Sequence, residues 1–213
     1  MTVIVVCTLI SFQNLEMKPF MERLDFMWSL LNVPSIRTPY LQAVSNEDHR
    51  RIFSKAIDDF EQEIVPKLSC MQKGYVHGDI NQHNIILDHG TREIKGVIDF
   101  SDLSYSYSVF DLVIAMYYIG IVRPDDFVQI AGQVLKGYNE IFPVNELELE
   151  VLFKLVLCRM TQSVSIGEYK YHVLDPGNEY LLADIKPALV ALKVLTEMGE
   201  EQVTKRWRAE ISL

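Results

Sequence analysis

Apolar positions along this chain change their spacing twice. Ile52, Phe53, Ala56, Ile57, Phe60 and Ile64 recur at three- and four-residue intervals, which places them on one face of a helix. Ser45 with Asp48 three residues on resembles an N-cap pair, so the pattern predicts a long amphipathic helix from about Asn46 into the Pro66 region. The period then shortens. Tyr75-Val76, residues 85–87 and residues 94–98 read as short strands, with His89-Gly90-Thr91 as the turn between the last two.

Helical spacing returns at residue 109. The first helix is expected over residues 109–121, and a second is opened by Pro124-Asp125-Asp126, where proline suits the first turn and acids suit the positive helix end. Asn145 with Glu148 opens a third helix, so apolar through residues 153–160 that it should lie deep in the core. Gly177 and Asn178 precede a last helical pattern that Pro187 should kink or split. The run over residues 3–12 is apolar, but it lacks the flanking basic residues and small-residue cleavage site of a secretory signal, and it is too short to span a bilayer. It reads as a buried strand or a stray N-terminus.

Composition narrows the class. With 213 residues, 49% hydrophobic, the chain can bury one sizeable core. A formal net charge of −9 argues against a sequence-independent nucleic-acid binder, while leaving room for a nucleotide whose charge metal ions carry. Cys7, Cys70 and Cys158 are isolated and odd in number, which excludes a disulfide framework and a CxxC metal site and suits a reducing cytoplasm.

The chemistry concentrates in His77-Gly78-Asp79-Ile80-Asn81-Gln82-His83-Asn84, followed after a hairpin by Ile98-Asp99-Phe100. This is the order and spacing of a kinase catalytic loop and its metal-binding strand. Phosphoryl transfer needs a carboxylate to orient the acceptor hydroxyl and hard oxygen ligands for the metal ions that neutralise the phosphates. Asp79 is the candidate base, Asn84 and Asp99 the candidate metal ligands. A zinc site through His77, Asp79 and His83 is chemically possible, but it leaves Asn84 and Asp99 without a purpose. Between Asp99 and the helix near residue 109 there is no room for the activation segment on which protein kinases seat peptides.

The pattern H-G-D-x-x-x-x-N then I-D-F resembles the aminoglycoside phosphotransferase and choline kinase family. Residues 97–111, VIDFSDLSYSYSVFD, resemble its hydroxylysine kinase branch more than the antibiotic-resistance enzymes, which carry Gly-Asp-Pro there. The resemblance implies an α+β, mainly helical, protein-kinase-like C-lobe over residues 15–213, with a short β-hairpin catalytic region and a helical C-terminal subdomain; residues 1–14 stay unassigned. It further implies Mg²⁺, GTP or ATP as phosphoryl donor and a small amino alcohol as acceptor, 5-hydroxylysine with GTP first among these. His77 and Asp111 are expected to support the loop, Asp111 by accepting its backbone N–H groups. Asp102, Tyr105 and Arg159 are candidates for substrate binding, Arg159 through a bidentate fork to a carboxylate.

All ten glycines fall at or after Gly74, so no Gly-rich phosphate loop precedes the catalytic loop. The covering lobe is therefore expected to be absent, with exposed apolar surface where it should dock. A kinase-like interaction module without catalysis is the competing reading.

Overall fold

A computed structural model describes residues 22–23, 25–91 and 93–212. The apolar run over residues 3–12 and Cys7 lie outside them.

The first long helix forms where its spacing predicts. Helix α1 (Glu47–Asp59) continues through a π-helical turn at Phe60–Ile64 and a 3₁₀ turn at Val65–Cys70, and it buries Phe53, Ala56, Ile57, Phe60 and Ile64. The cap differs from the expectation by one residue: Asn46, not Ser45, accepts the N–H groups of Asp48 and His49 at 2.9 and 3.0 Å. Ser45 is engaged elsewhere, donating from its backbone N and its hydroxyl to Glu168 at 3.0 and 3.3 Å. Ahead of α1, the segments Leu30–Arg37 and Tyr40–Ala43 coil as tight 3₁₀ helix, the first with Pro34 inside it.

Four short strands follow. The hairpin of β2 (Ile85–Leu87) and β3 (Ile94–Val97) forms as read from the sequence, pairing Ile85 with Val97. Strand β1 (Lys73–Val76) pairs antiparallel with β4 (Ser104–Tyr107), a strand that local patterning did not announce. Its partner lies some thirty residues away, so nothing within its own SYSY run signals the ladder. Ile86, Leu87 and Ile98 remain exposed on the hairpin side.

The helical body consists of α2 (Ser108–Gly120), α3 (Phe127–Asn139), α4 (Glu146–Tyr169), α5 (Ile185–Met198) and α6 (Glu200–Ile211). Helix α4 is the axle, packed against α1, α2, α5, α6 and both 3₁₀ segments. Leu155, Val156 and Met160 are fully buried, each contributing about 1.5–3 kcal/mol relative to exposure. Its expected cap is a complete capping box: the Asn145 side chain accepts from Glu148 N at 2.9 Å and Glu148 accepts from Asn145 N at 3.0 Å. Glu148 also accepts Gln72 N at 2.9 Å, which ties the start of β1 to the start of α4.

The last helical pattern divides in two, but at Gly199 rather than Pro187. Pro187 lies in the first turn of α5, where its missing N–H would have had no intrahelical partner anyway. Gly199, at φ 77°, turns the chain into α6. That helix docks through Trp207, whose indole N–H donates to Val128 O at 2.9 Å. No helix among the described residues is long and apolar enough to cross a membrane.

Candidate active site

Between β1 and β2 the chain makes a turn through residues 77–84, and Asp111 in the first turn of α2 pins it. Asp111 Oδ2 accepts the His77 N–H at 2.7 Å and Oδ1 the Gly78 N–H at 2.9 Å. These bonds offset the desolvation of a carboxyl that is 3% exposed. Burial nonetheless pushes its pKa up to about 6, against the two backbone donors that hold it down.

Gly78 has φ 83°, and a Cβ there would meet the backbone oxygen of Asp102 at 2.8 Å. Only glycine fits both demands, so the loop can lie directly on the chain after Asp99. His77 is buried, with Nε2 3.0 Å from Ile98 O and Nδ1 3.3 Å from Asp79 N. A carbonyl can only accept, so Nε2 carries the proton and Nδ1 accepts from the amide. Both ring nitrogens are therefore spent on joining the loop to the strand end. Among the described residues no group of three or more His, Cys, Asp and Glu is placed to hold a metal, and the zinc alternative fails on this geometry.

Asp79 is held by two amides: its Oδ2 accepts from Asn81 Nδ2 and Asn84 Nδ2, each at 2.9 Å. Asn84 Nδ2 also reaches Asp79 O at 2.9 Å. Sequence reasoning missed Asn81. Its Oδ1 accepts from His83 N at 2.8 Å and Asn84 N at 3.2 Å, capping the short 3₁₀ turn Gln82–Asn84. An Asn immediately before such a turn is a recognisable cap signal.

Asp99 arrives beside this loop because Ile98 N donates to Asn84 O at 3.0 Å, extending the β2–β3 ladder. Its backbone is left-handed, φ 62° and ψ 68°, and its Oδ1 accepts from Ser101 Oγ at 2.7 Å and Ser101 N at 3.3 Å. The Ser101 hydroxyl, and after it the Ser101 N–H, hold the Asp99 carboxyl below its ordinary pKa. Asp99 thus stays ionised, and Asn84 presents Oδ1 because its amide nitrogen is committed to Asp79. An ionised carboxylate and an amide oxygen are the hard donors that Mg²⁺ takes.

Asp79, Asn81, Asp102 and Arg159 line one cleft of about 320 Å³, together with Tyr118 and Asp184. Burial, and then the charge of Asp79, raises the pKa of Asp102, opposed by Arg23 at 3.5 Å. Tyr105 does not join this cleft. It lies on β4, edge-on to Tyr75 with ring centroids 5.4 Å apart, and lines a separate recess of about 140 Å³ with Lys73 and Arg23. Tyr118 and Asp184 escaped the sequence reading because one sits in an apolar helical run and the other at a helix start far down the chain.

The sequence pattern that defines the phosphotransferase enzyme family matches residues 14–141. Hydroxylysine kinase of Xenopus laevis is 32% identical over 198 residues, covering 89% of this chain and 52% of that protein. Hydroxylysine kinase of Mus musculus is 32% identical over 192 residues, with 87% and 50% covered, and that of Danio rerio 30% over 190 residues, with 88% and 53% covered. The chain spans about half the length of the curated relatives it matches. Because the family pattern runs across more than half of the residues, and through the whole of the loop that holds Asp79, this protein belongs to the phosphotransferase enzyme family.

Proposed function

We propose that this chain carries the catalytic loop and acceptor cleft of a small-molecule kinase that transfers the γ-phosphoryl of GTP to the hydroxyl of 5-hydroxylysine. The observation that carries the reading is the support of Asp79: two side-chain amides at 2.9 Å fix one carboxylate oxygen, and the other accepts no hydrogen bond from the described residues and is left for a substrate proton. Asp79 orients the acceptor hydroxyl and takes its proton as the oxygen attacks the γ-phosphorus and the nucleoside diphosphate leaves. Asn84 and Asp99 would hold Mg²⁺, which supplies charge neutralisation at the phosphates. Asp111 and His77 keep the loop in place without touching substrate.

The acceptor and the nucleotide base follow the resemblance and the relatives' name, with ATP and choline-like amino alcohols as the alternatives. The test is Mg²⁺-dependent phosphorylation of an acceptor panel with GTP and with ATP. It is run on this chain alone and joined to the remaining half of a curated relative. Asp79→Asn should lower kcat by about 10²–10⁴-fold, and full activity in that variant would remove Asp79 from its role.

A further inference from the structure

Arg159 is 1% exposed, and among the described residues its donors meet only neutral acceptors. Nη1 donates to Trp28 O at 3.1 Å and Gln162 Oε1 at 2.9 Å, and Nη2 to the Tyr118 hydroxyl at 3.3 Å. Nε is buried without a hydrogen bond to any described residue. No carboxylate forms an ion pair with Arg159 among the described residues, and the nearby Asp111 has its oxygens occupied by His77 and Gly78. A buried guanidinium without a counter-ion is costly, and such a charge is ordinarily paired with an acid beside it. Pinning the 27–29 segment does not require the charge, since Gln162 already donates to Met27 O at 2.6 Å and Ser29 O at 3.1 Å.

The same side chain lines the cleft that holds Asp79. Nε and Nη2 form one edge of the guanidinium, and Nη2 retains one N–H beyond the bond to Tyr118; that edge is the fork that takes both oxygens of a carboxylate. The rest of the cleft has the opposite sign, with Asp79, Asp102 and Asp184. One cationic and several anionic positions around a small hollow match a zwitterion that bears a carboxylate at one end and ammonium groups elsewhere.

We propose that Arg159 is the carboxylate anchor of the acceptor cleft, so that the site selects amino acids over amino alcohols that lack the carboxylate. This inference rests on the kinase reading but is tested separately from it, by binding. Titration calorimetry on this chain would compare 5-hydroxylysine, its carboxamide and its decarboxylated analogue. The wild-type chain should bind the amino acid roughly 10–100-fold more tightly than either analogue, as loss of a charge-assisted bond to a buried group requires. Arg159→Gln should erase that preference with little change for the analogues, and Arg159→Lys, which keeps the charge but not the fork, should retain part of it.

Equal binding of the three probes by the wild-type chain, or binding of none, overturns the anchor whether or not the variants fold. So does an equal loss for all three in a variant with an unchanged melting curve, which is what a purely structural arginine predicts. A kept preference without phosphoryl transfer would sink only the kinase reading, and transfer to all three probes alike would sink only the anchor.

Discussion

Asn84 donates its side-chain amide to Asp79 Oδ2 at 2.9 Å and, from the same nitrogen, to Asp79 O at 2.9 Å. The residue read as a metal ligand is thus also the splint of the residue read as a base. The two readings use different atoms: the nitrogen faces Asp79, and the oxygen is the atom proposed to meet a cation.

Asn84→Asp separates those roles. The substitution keeps a hard oxygen but sets two carboxyl groups about 3 Å apart, so that one of them must hold a proton. Phosphoryl transfer should fall by about 10²-fold and its pH optimum should move upward, as a base with a raised pKa demands. A pH–rate profile identical to wild type would mean that Asn84 does not act on Asp79.

For Asp111 the sign of the pH dependence is defined. Its folded pKa is raised from 3.8 to about 6, so the stability it contributes is complete below its unfolded value and lost as the pH rises through about 6. The displacement corresponds to roughly 3 kcal/mol. Urea unfolding between pH 4 and pH 7 should show wild-type stability falling relative to Asp111→Asn; a rising difference would mean that the two backbone donors outweigh burial. Asp111→Ala, which takes the acceptor from the His77 and Gly78 N–H groups, should cost about 1–3 kcal/mol for each of them at pH 4, and less as the pH rises through about 6.

Gly78→Ala places a methyl group 2.8 Å from the Asp102 oxygen at a backbone angle of φ 83°. Strain of this kind costs about 1–3 kcal/mol and must push the loop away from the segment that follows Asp99. Thermal unfolding would register the cost, and a kcat loss larger than the stability loss would register the displaced loop. An unaltered melting temperature would contradict the close approach.

Helix α5 offers a paired control. Pro187→Ala should change stability by less than about 1 kcal/mol, because the first turn asks nothing of that N–H. Gly199→Ala should be the more damaging change, by about 1 kcal/mol or more, because an L side chain is strained at φ 77°. Denaturation midpoints of the two variants would invert this order if the proline, not the glycine, shaped the junction.

The groups proposed for the chemistry were legible because they are local. His77 to Asn84 and Ile98-Asp99 offer them in residue type and spacing, and the capping box of Asn145 with Glu148 needs only three residues to be recognised. The α1 cap was misplaced by one residue because Ser45 and Asn46 are equally good candidates until Glu168, more than a hundred positions away, claims the serine. Strand β4 and the separate recess of Tyr105 were invisible for a similar reason, since pairing with β1 is a contact between distant segments.

What residue order alone determined was therefore the period of the long helices and of the β2–β3 hairpin and the chemical groups offered by one short loop, because both are set by neighbours within a few bonds. Which groups share a cleft was decided by the packing of α4 against the rest. That packing carries Arg159 to the site of Asp79 and leaves it without a salt-bridged carboxylate among the described residues, and hydrophobic burial, which is blind to sequence separation, is the force that does it.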